Sequence, residues 1–219
     1  MEKQTQTPVE ILSKYSQRTS REEWGFRQIF KDLKASGKKF SPRGLEVIEI
    51  ENYTYELPPY ARFCNFAARK LNLDYIKREF LWYLKGDKFD LSILKYAKMW
   101  EGLVNADGSI NSNYGQYIFH RGSDERSLFT YVLEELARDK DSRRASAVIL
   151  RREHLLSETR DYPCTYSLNF RIRDDKLNMS VHMRSQDAVF GMGNDAPCFS
   201  FIHELVCQSL KWKYPDLIS

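Results

Sequence analysis

Apolar residues recur at helical spacing in some stretches of the chain and alternate with polar ones in others. In "REEWGFRQIFKDLKASG" the spacing sets Trp24, Ile29, Phe30 and Leu33 near one helical face, with Gly37 as the stop. "NLDYIKREFLWYLKGD" predicts a second helix, with Ile76, Phe80, Leu81 and Leu84 inward and Gly86 as its C-cap. A short helix is expected from about Leu91 to Met99. "SDERSLFTYVLEELARDK" predicts another, capped by Ser123 or Asp124, with Leu128, Val132, Leu133 and Leu136 as its buried stripe. A last helix is expected near Asp195-Ala196-Pro197, where Asp195 suits the N-cap and Pro197 the first turn. Strands are read from about Leu45 to Tyr55 and in the short, buried "RASAVILR", while "NADGSINSNYG" is a loop by composition.

The clearest alternation lies in "DYPCTYSLNFRIRDDKLNMSVHMRS", which reads as two strands joined by a tight polar turn. Parity puts Cys164, Tyr166, Leu168, Phe170 and Ile172 on one face, and Thr165, Ser167, Asn169, Arg171 and Arg173 on the other. Leu177, Met179, Val181 and Met183 form the apolar set of the second strand. On periodicity alone Cys164 reads as a small buried hydrophobe, the usual fate of a cysteine outside a disulfide.

Composition narrows the class. The chain has 219 residues, of which 42% are hydrophobic, enough for one sizeable core, and 14% are aromatic. The formal net charge of +4 is mild, with acidic and basic residues interleaved, so a basic stripe for nucleic acid is not seen. A small anionic ligand suits that balance. Cys64, Cys164, Cys198 and Cys207 show no CxxC spacing and no clustered histidines, which argues against a zinc site or a disulfide framework and for a reducing, cytoplasmic setting. No stretch approaches membrane-spanning length. Residues 1–20 form a polar N-terminal segment, and residues 21–219 read as one α+β domain without repeats or linkers.

The stretches "FLWYLKGD", "GSINSNYG", "DSRR", "PCT" and "RSQDAVFGMGND" occur in that order, and together they resemble the thymidylate synthase family, in particular its dCMP hydroxymethylase branch. The resemblance runs from about Pro42 to the C-terminus. It implies a thymidylate synthase-like α+β fold with a large mixed sheet flanked by helices. It also implies one-carbon transfer from the cosubstrate 5,10-methylenetetrahydrofolate to C5 of a pyrimidine nucleotide, with no metal. Cys164 matches the nucleophile that adds to C6, a step needed because C5 of the free base is a poor carbon nucleophile. A thiol with a pKa of about 8.5 is mostly protonated at neutral pH, and Arg184 is the candidate positive charge to lower it. Glu79 matches the carboxylate that organises water and moves protons at the ring, against a plain reading as an exposed helix glutamate. Arg184 and Ser185 match a phosphate-binding pair, and Arg143 and Arg144 match arginines that reach the phosphate held by the partner subunit of a homodimer. Arg43 resembles a mobile phosphate-loop arginine. Tyr114 resembles an aromatic residue near the nucleotide and Trp100 one near the folate, with core packing as the alternative for both. Asp187 matches the carboxylate that holds the pterin.

Two positions favour the hydroxymethylase branch. Thr165 follows the nucleophile where thymidylate synthases usually carry histidine, and Asp195 stands where they carry asparagine against the base edge. A carboxylate accepts from the cytosine amine, whereas an unpaired polar group costs the wrong base about 1–3 kcal/mol. Asn194 is the alternative reader if the register shifts by one. The resemblance therefore implies conversion of dCMP to 5-hydroxymethyl-dCMP, with dUMP methylation or a non-catalytic nucleotide-binding role as alternatives. It further implies a viral origin. Relative to the family pattern the chain is expected to be truncated, since the strands with a His-x-Tyr for the sugar and the closing C-terminal segment do not follow "KWKYPDLIS".

Overall fold

The computed structural model describes residues 21–63, 70–123, 125–156 and 158–219, with side chains from residue 26 onward. Cys64, Asp124, the segment 1–20 and the side chain of Trp24 therefore lie outside the description. The elements mix helices with antiparallel ladders, an α+β fold. They divide between two compact units, Met1–Leu71 with Asp187–Ala196, and Asn72–Gln186 with Pro197–Ser219.

In the first unit, helix α1 (Arg21–Ser36) ends where the Gly37 amide donates to Leu33 O at 2.9 Å. Phe26 and Ile29 pack with Met192, and Leu33, Tyr55 and Ala188 close the cluster. Phe30 is half-buried. The strand expected over 45–55 is shorter than its alternation suggests. Only β2 (Val47–Glu49) pairs, with β1 (Lys38–Phe40). Asn52 has a φ of 55°, a left-handed turn that ends the extended run. The Tyr53 hydroxyl then donates to Asp32 at 2.6 Å, which pins the turn to α1.

The second unit is built on a three-stranded antiparallel sheet, β3 (Ser146–Val148), β4 (Thr165–Arg173) and β5 (Lys176–Met183), in that order. Asp174 and Asp175 both take positive φ (50° and 56°), so the hairpin turns on two left-handed residues that match the twist of its strands. The core face carries Ala147, Leu168, Phe170, Ile172 and Leu177, all buried. The four larger side chains, Leu168, Phe170, Ile172 and Leu177, each contribute about 1.5–3 kcal/mol when fully withdrawn from water.

Parity fails at one end of β4. Thr165 pairs with Met183 but Ser167 pairs with His182, so a bulge at Tyr166 adds one residue to the strand. Thr165 is consequently buried (0% exposed) while Tyr166 is 39% exposed. Cys164, expected on the apolar face, is instead half-buried.

Helix α2 (Leu73–Lys85) starts at Asn72, whose side chain accepts from the Tyr75 amide at 3.0 Å, and ends at Gly86 with φ 63°. Its inner face differs from the expected one. Tyr75, Ile76, Glu79, Trp82 and Tyr83 are buried, whereas Leu81 is 44% exposed and Leu84 also faces water. Two 3₁₀ turns, Leu91–Lys95 and Lys98–Leu103, replace the single helix expected over 91–99. A short α3 (Gly115–Ile118) follows. Helix α4 (Leu128–Arg138) is capped by Ser127, which accepts from the Thr130 amide at 3.1 Å, so Ser123 is not the cap. Val132 and Leu136 are buried on α4, but Glu135 joins them, and Leu128 and Leu133 are only half-buried. A one-turn α5 (Arg152–Leu156) precedes the hairpin. Helix α6 (Gly191–Leu210) begins four residues before Asp195, so Asp195 is not its N-cap and Pro197 lies inside it. Asp187 does the capping, since its Oδ1 accepts from the amides of Val189, Phe190 and Gly191.

Candidate active site

Arginine and thiol meet at the bulged end of the hairpin. The Arg184 amide donates to Cys164 O at 2.9 Å, which fixes the two backbones side by side. The Arg184 guanidinium donates to Tyr162 O at 3.0 Å through Nη2, to Pro163 O at 3.2 Å through Nε, and to Cys164 Sγ at 3.4 Å through Nη2. It also lies over the Tyr162 ring, 5.0 Å from the centroid. The positive charge stands beside the sulfur, which is the environment a thiolate nucleophile needs. Ser185 follows and is exposed.

Asp161 anchors the approach to Cys164. It is buried, and accepts from the Ser112 amide at 2.6 Å and the Ser112 hydroxyl at 2.5 Å. Burial pushes its carboxyl above the ordinary value, while the Ser112 bonds and the Arg184 charge pull the other way. Asn111 donates to Asp161 O at 2.8 Å, so the loop that leads into Tyr114 is tied to the segment that leads into Cys164. Thr165 Oγ1 and Asn113 Oδ1 are buried without a hydrogen-bond partner among the described residues.

Glu79, Tyr114 and Trp100 share one packed cluster. Glu79 is 4% exposed and accepts from the Tyr83 hydroxyl at 3.3 Å; the Cys198 thiol is 3.9 Å from its other oxygen. Tyr114 is buried and stacks on Tyr83 (centroids 5.5 Å) and on Phe199 (6.0 Å). A Cβ on Gly115 would meet Tyr83 O at 1.7 Å, so only glycine lets α2 seat against this turn. Trp100 is buried, edge-on to Trp82 at 5.2 Å, and its indole donates to the Tyr75 hydroxyl at 3.0 Å.

Arg143 and Arg144 project from an exposed loop after α4, beside a cleft also lined by Arg138, Asp139 and Asp141. The loop has a buried foundation. Ser142 donates to Glu135 at 2.6 Å and accepts from the Arg144 amide at 3.1 Å, and Tyr131 donates to Arg144 O at 3.1 Å. Arg138 pairs with the same Glu135 carboxylate.

Asp187, Asp195 and Arg43 belong to the first unit. Asp187 is exposed, and its cap uses Oδ1 alone. Asp195 is half-buried in α6. Arg43 sits at the tip of the β1–β2 connection with φ 54°, a left-handed conformation costly for a side chain with a Cβ. Tyr75, Tyr83, Cys198, Asp161 and Glu135 escaped the sequence reading. Tyr75, Glu79 and Tyr83 are spaced i, i+4, i+8, a signal that a search for apolar stripes alone does not register. None of Cys164, Cys198 and Cys207 forms a disulfide. Among the described residues no helix is long and apolar enough to cross a membrane.

Comparison with known proteins matches residues 25–219 to the family model described as thymidylate synthase. The chain is 36% identical over 135 residues to the deoxycytidylate 5-hydroxymethyltransferase of Enterobacteria phage T4, covering 59% of this chain and 54% of that protein. It is 29% identical over 180 residues to the deoxyuridylate hydroxymethyltransferase of Bacillus phage SP01, covering 75% of this chain and 47% of that one. Against the thymidylate synthase of Fusobacterium nucleatum the identity is 29% over 126 residues, 58% of this chain and 46% of the other. The chain thus spans about half the length of the curated relatives it matches. With the match extending from the first helix to the last residue, the chain belongs to the thymidylate synthase family.

Proposed function

We propose that this protein transfers a one-carbon unit from 5,10-methylenetetrahydrofolate to C5 of a pyrimidine deoxynucleotide, converting dCMP to 5-hydroxymethyl-dCMP. The observation that carries the reading is the Arg184 guanidinium held 3.4 Å from Cys164 Sγ by two backbone carbonyls. The similarity to a phage deoxycytidylate 5-hydroxymethyltransferase supports the choice of base and product.

In this reading the Cys164 thiolate adds to C6, and the displaced electron pair makes C5 the nucleophile. The folate supplies the one-carbon unit at the oxidation level of formaldehyde. The C5 proton leaves to solvent, Glu79 holding the water that takes it. The electron pair left behind expels tetrahydrofolate from the transferred carbon, which becomes an exocyclic methylene at C5. Water then adds to the exocyclic carbon, and the electron pair returned to C5 expels the sulfur from C6. Arg184, Ser185 and Arg43 bind the phosphate. Arg143 and Arg144 reach it from the partner subunit of a homodimer. Asp195 accepts from the cytosine amine, and Tyr114 borders the nucleotide. Asp187 fits the pterin, since Oδ2 lies outside the cap that occupies Oδ1 and can accept an N–H. Trp100 borders the folate with its ring only, because its N–H is already donated to Tyr75.

The test is tritium release from C5-tritiated dCMP and dUMP, with and without methylenetetrahydrofolate, alongside Cys164→Ser. Release from dCMP that vanishes in the variant is the expected result. Release from dUMP alone overturns the role given to Asp195 and favours a deoxyuridylate activity, as in the relative matched over 75% of this chain. No release from either nucleotide removes the catalytic reading of this chain.

A further inference from the structure

Residues 158–163, which lead into Cys164, lie outside every helix and strand, so no backbone ladder fixes them. Side chains of the 105–112 loop do so instead. Asn105 Oδ1 accepts from the Arg160 amide at 3.1 Å, and Asn111 Nδ2 donates to Asp161 O at 2.8 Å. Ser112 closes the tie, donating to the Asp161 carboxylate through both its amide (2.6 Å) and its hydroxyl (2.5 Å). Both residues are buried, and a carboxylate only 2% exposed is costly to hold unless its acceptors are filled. Only Tyr162 and Pro163 separate Asp161 from the nucleophile. The proline ring fixes its own φ and keeps the residue before it extended, so little play is left between the two. The carbonyls of those same two residues hold the Arg184 guanidinium.

We propose that Asp161 is a positioning residue for the Cys164–Arg184 pair, its bonds to Ser112 setting the Tyr162 and Pro163 carbonyls where the guanidinium can reach the sulfur. The proposal rests on the reading of Cys164 as the nucleophile given above, and adds to it the group that seats it. Asp161 is also an anion that feels the Arg184 charge, and that charge acting through space would work in the opposite sense. An anion opposes the thiolate, whereas a seat for Arg184 favours it. The two effects separate by chemistry. Asparagine has the same shape without the charge. Its Oδ1 can accept the Ser112 amide while its Nδ2 donates to the Ser112 hydroxyl, which turns to accept. Alanine loses the bonds and the charge together.

The experiment measures iodoacetamide alkylation of Cys164 against pH in the full chain, with Cys164→Ser as the background. In Asp161→Ala the rate at neutral pH should fall about threefold or more, with the thiol midpoint raised. In Asp161→Asn it should stay within about twofold of the native rate. Tritium release should slow in kcat in the alanine variant and recover in the asparagine one. Faster alkylation in both variants would mean that the charge alone matters, and equal rates in all three proteins that the bonds serve stability alone. Either result overturns the proposal. If Asp161→Ala does not fold, Ser112→Ala decides, because it removes the hydroxyl donor and keeps the amide. Slowing by about twofold or more then supports the seat, and no slowing overturns it. A native chain that releases no tritium would sink the catalytic reading alone, because alkylation reports the seating of the thiol whether or not a nucleotide is turned over.

Discussion

The Arg184 guanidinium reaches the backbone carbonyls of two successive residues, Tyr162 and Pro163, as well as the Cys164 sulfur, and a planar fork of donors is what lets one side chain do so. Lysine has a compact charge without that fork. Arg184→Lys should therefore slow alkylation of Cys164 by iodoacetamide at neutral pH by about three- to tenfold, measured as a rate against pH. Thr165 makes the opposite kind of prediction. Its hydroxyl is buried without a partner among the described residues, so Thr165→Val should raise stability by about 1 kcal/mol in urea unfolding. At this scale the sequence was legible where a residue type belongs to a motif, as with Cys164 and Arg184. It was silent on Asp161 and Glu135, whose use depends on Ser112 and Ser142 arriving from elsewhere in the chain.

Elements announced their ends more clearly than their faces. Gly37 and Gly86 stop α1 and α2 as their chemistry requires, because a left-handed or tightly closed terminus favours glycine. The inner face of α2 departs from its apolar pattern because the buried stripe carries Tyr75, Glu79 and Tyr83, which are polar by type, while the apolar Leu81 and Leu84 face water. Helix α6 begins earlier than expected for a related reason. Gly191 and Gly193 are weak helix formers, and the cap that starts the helix comes from Asp187, outside it. Packing between elements is open to direct tests. Gly115→Ala drives a methyl into the Tyr83 carbonyl and should cost about 3 kcal/mol, read as a lowered urea midpoint. The contact between α5 and α3 should respond to pH. His154 accepts the Arg151 amide on Nδ1 and meets the Tyr117 hydroxyl on Nε2 at 2.8 Å, and burial holds its pKa below the ordinary 6.5. Glu153 pulls that value up and Arg151 pushes it further down. The unfolded chain then binds the proton more readily than the folded one. The stability from His154 is thus complete above its unfolded value and is lost as the pH falls through the folded one. Between about pH 7.5 and 5, unfolding midpoints should fall more steeply for the native chain than for His154→Asn, whose side-chain oxygen can replace Nδ1 as acceptor.

For the molecule as a whole, the α+β class and the family were readable from five short stretches in order, and the match over residues 25–219 agrees. The division into two units was not readable, because no linker or change of composition marks it. The homodimer proposed above yields a test at this scale. Cys164→Ser and an Arg143→Ala/Arg144→Ala double variant should each be inactive alone. Mixed and allowed to exchange subunits, they should recover about a quarter of native tritium release, because one site of each hybrid has an intact nucleophile and intact partner arginines. Recovery of none would argue that the arginines serve their own subunit. The bulge at Tyr166 has a consequence for engineering. Because the extra residue re-phases β4, the facing of Cys164 is decoupled from the alternation that begins at Ser167. The hairpin beyond the bulge can be exchanged as a cassette for one of different length and composition without turning the nucleophile. A single insertion or deletion between Cys164 and Ser167 rotates that nucleophile away while leaving the rest of the sheet in register.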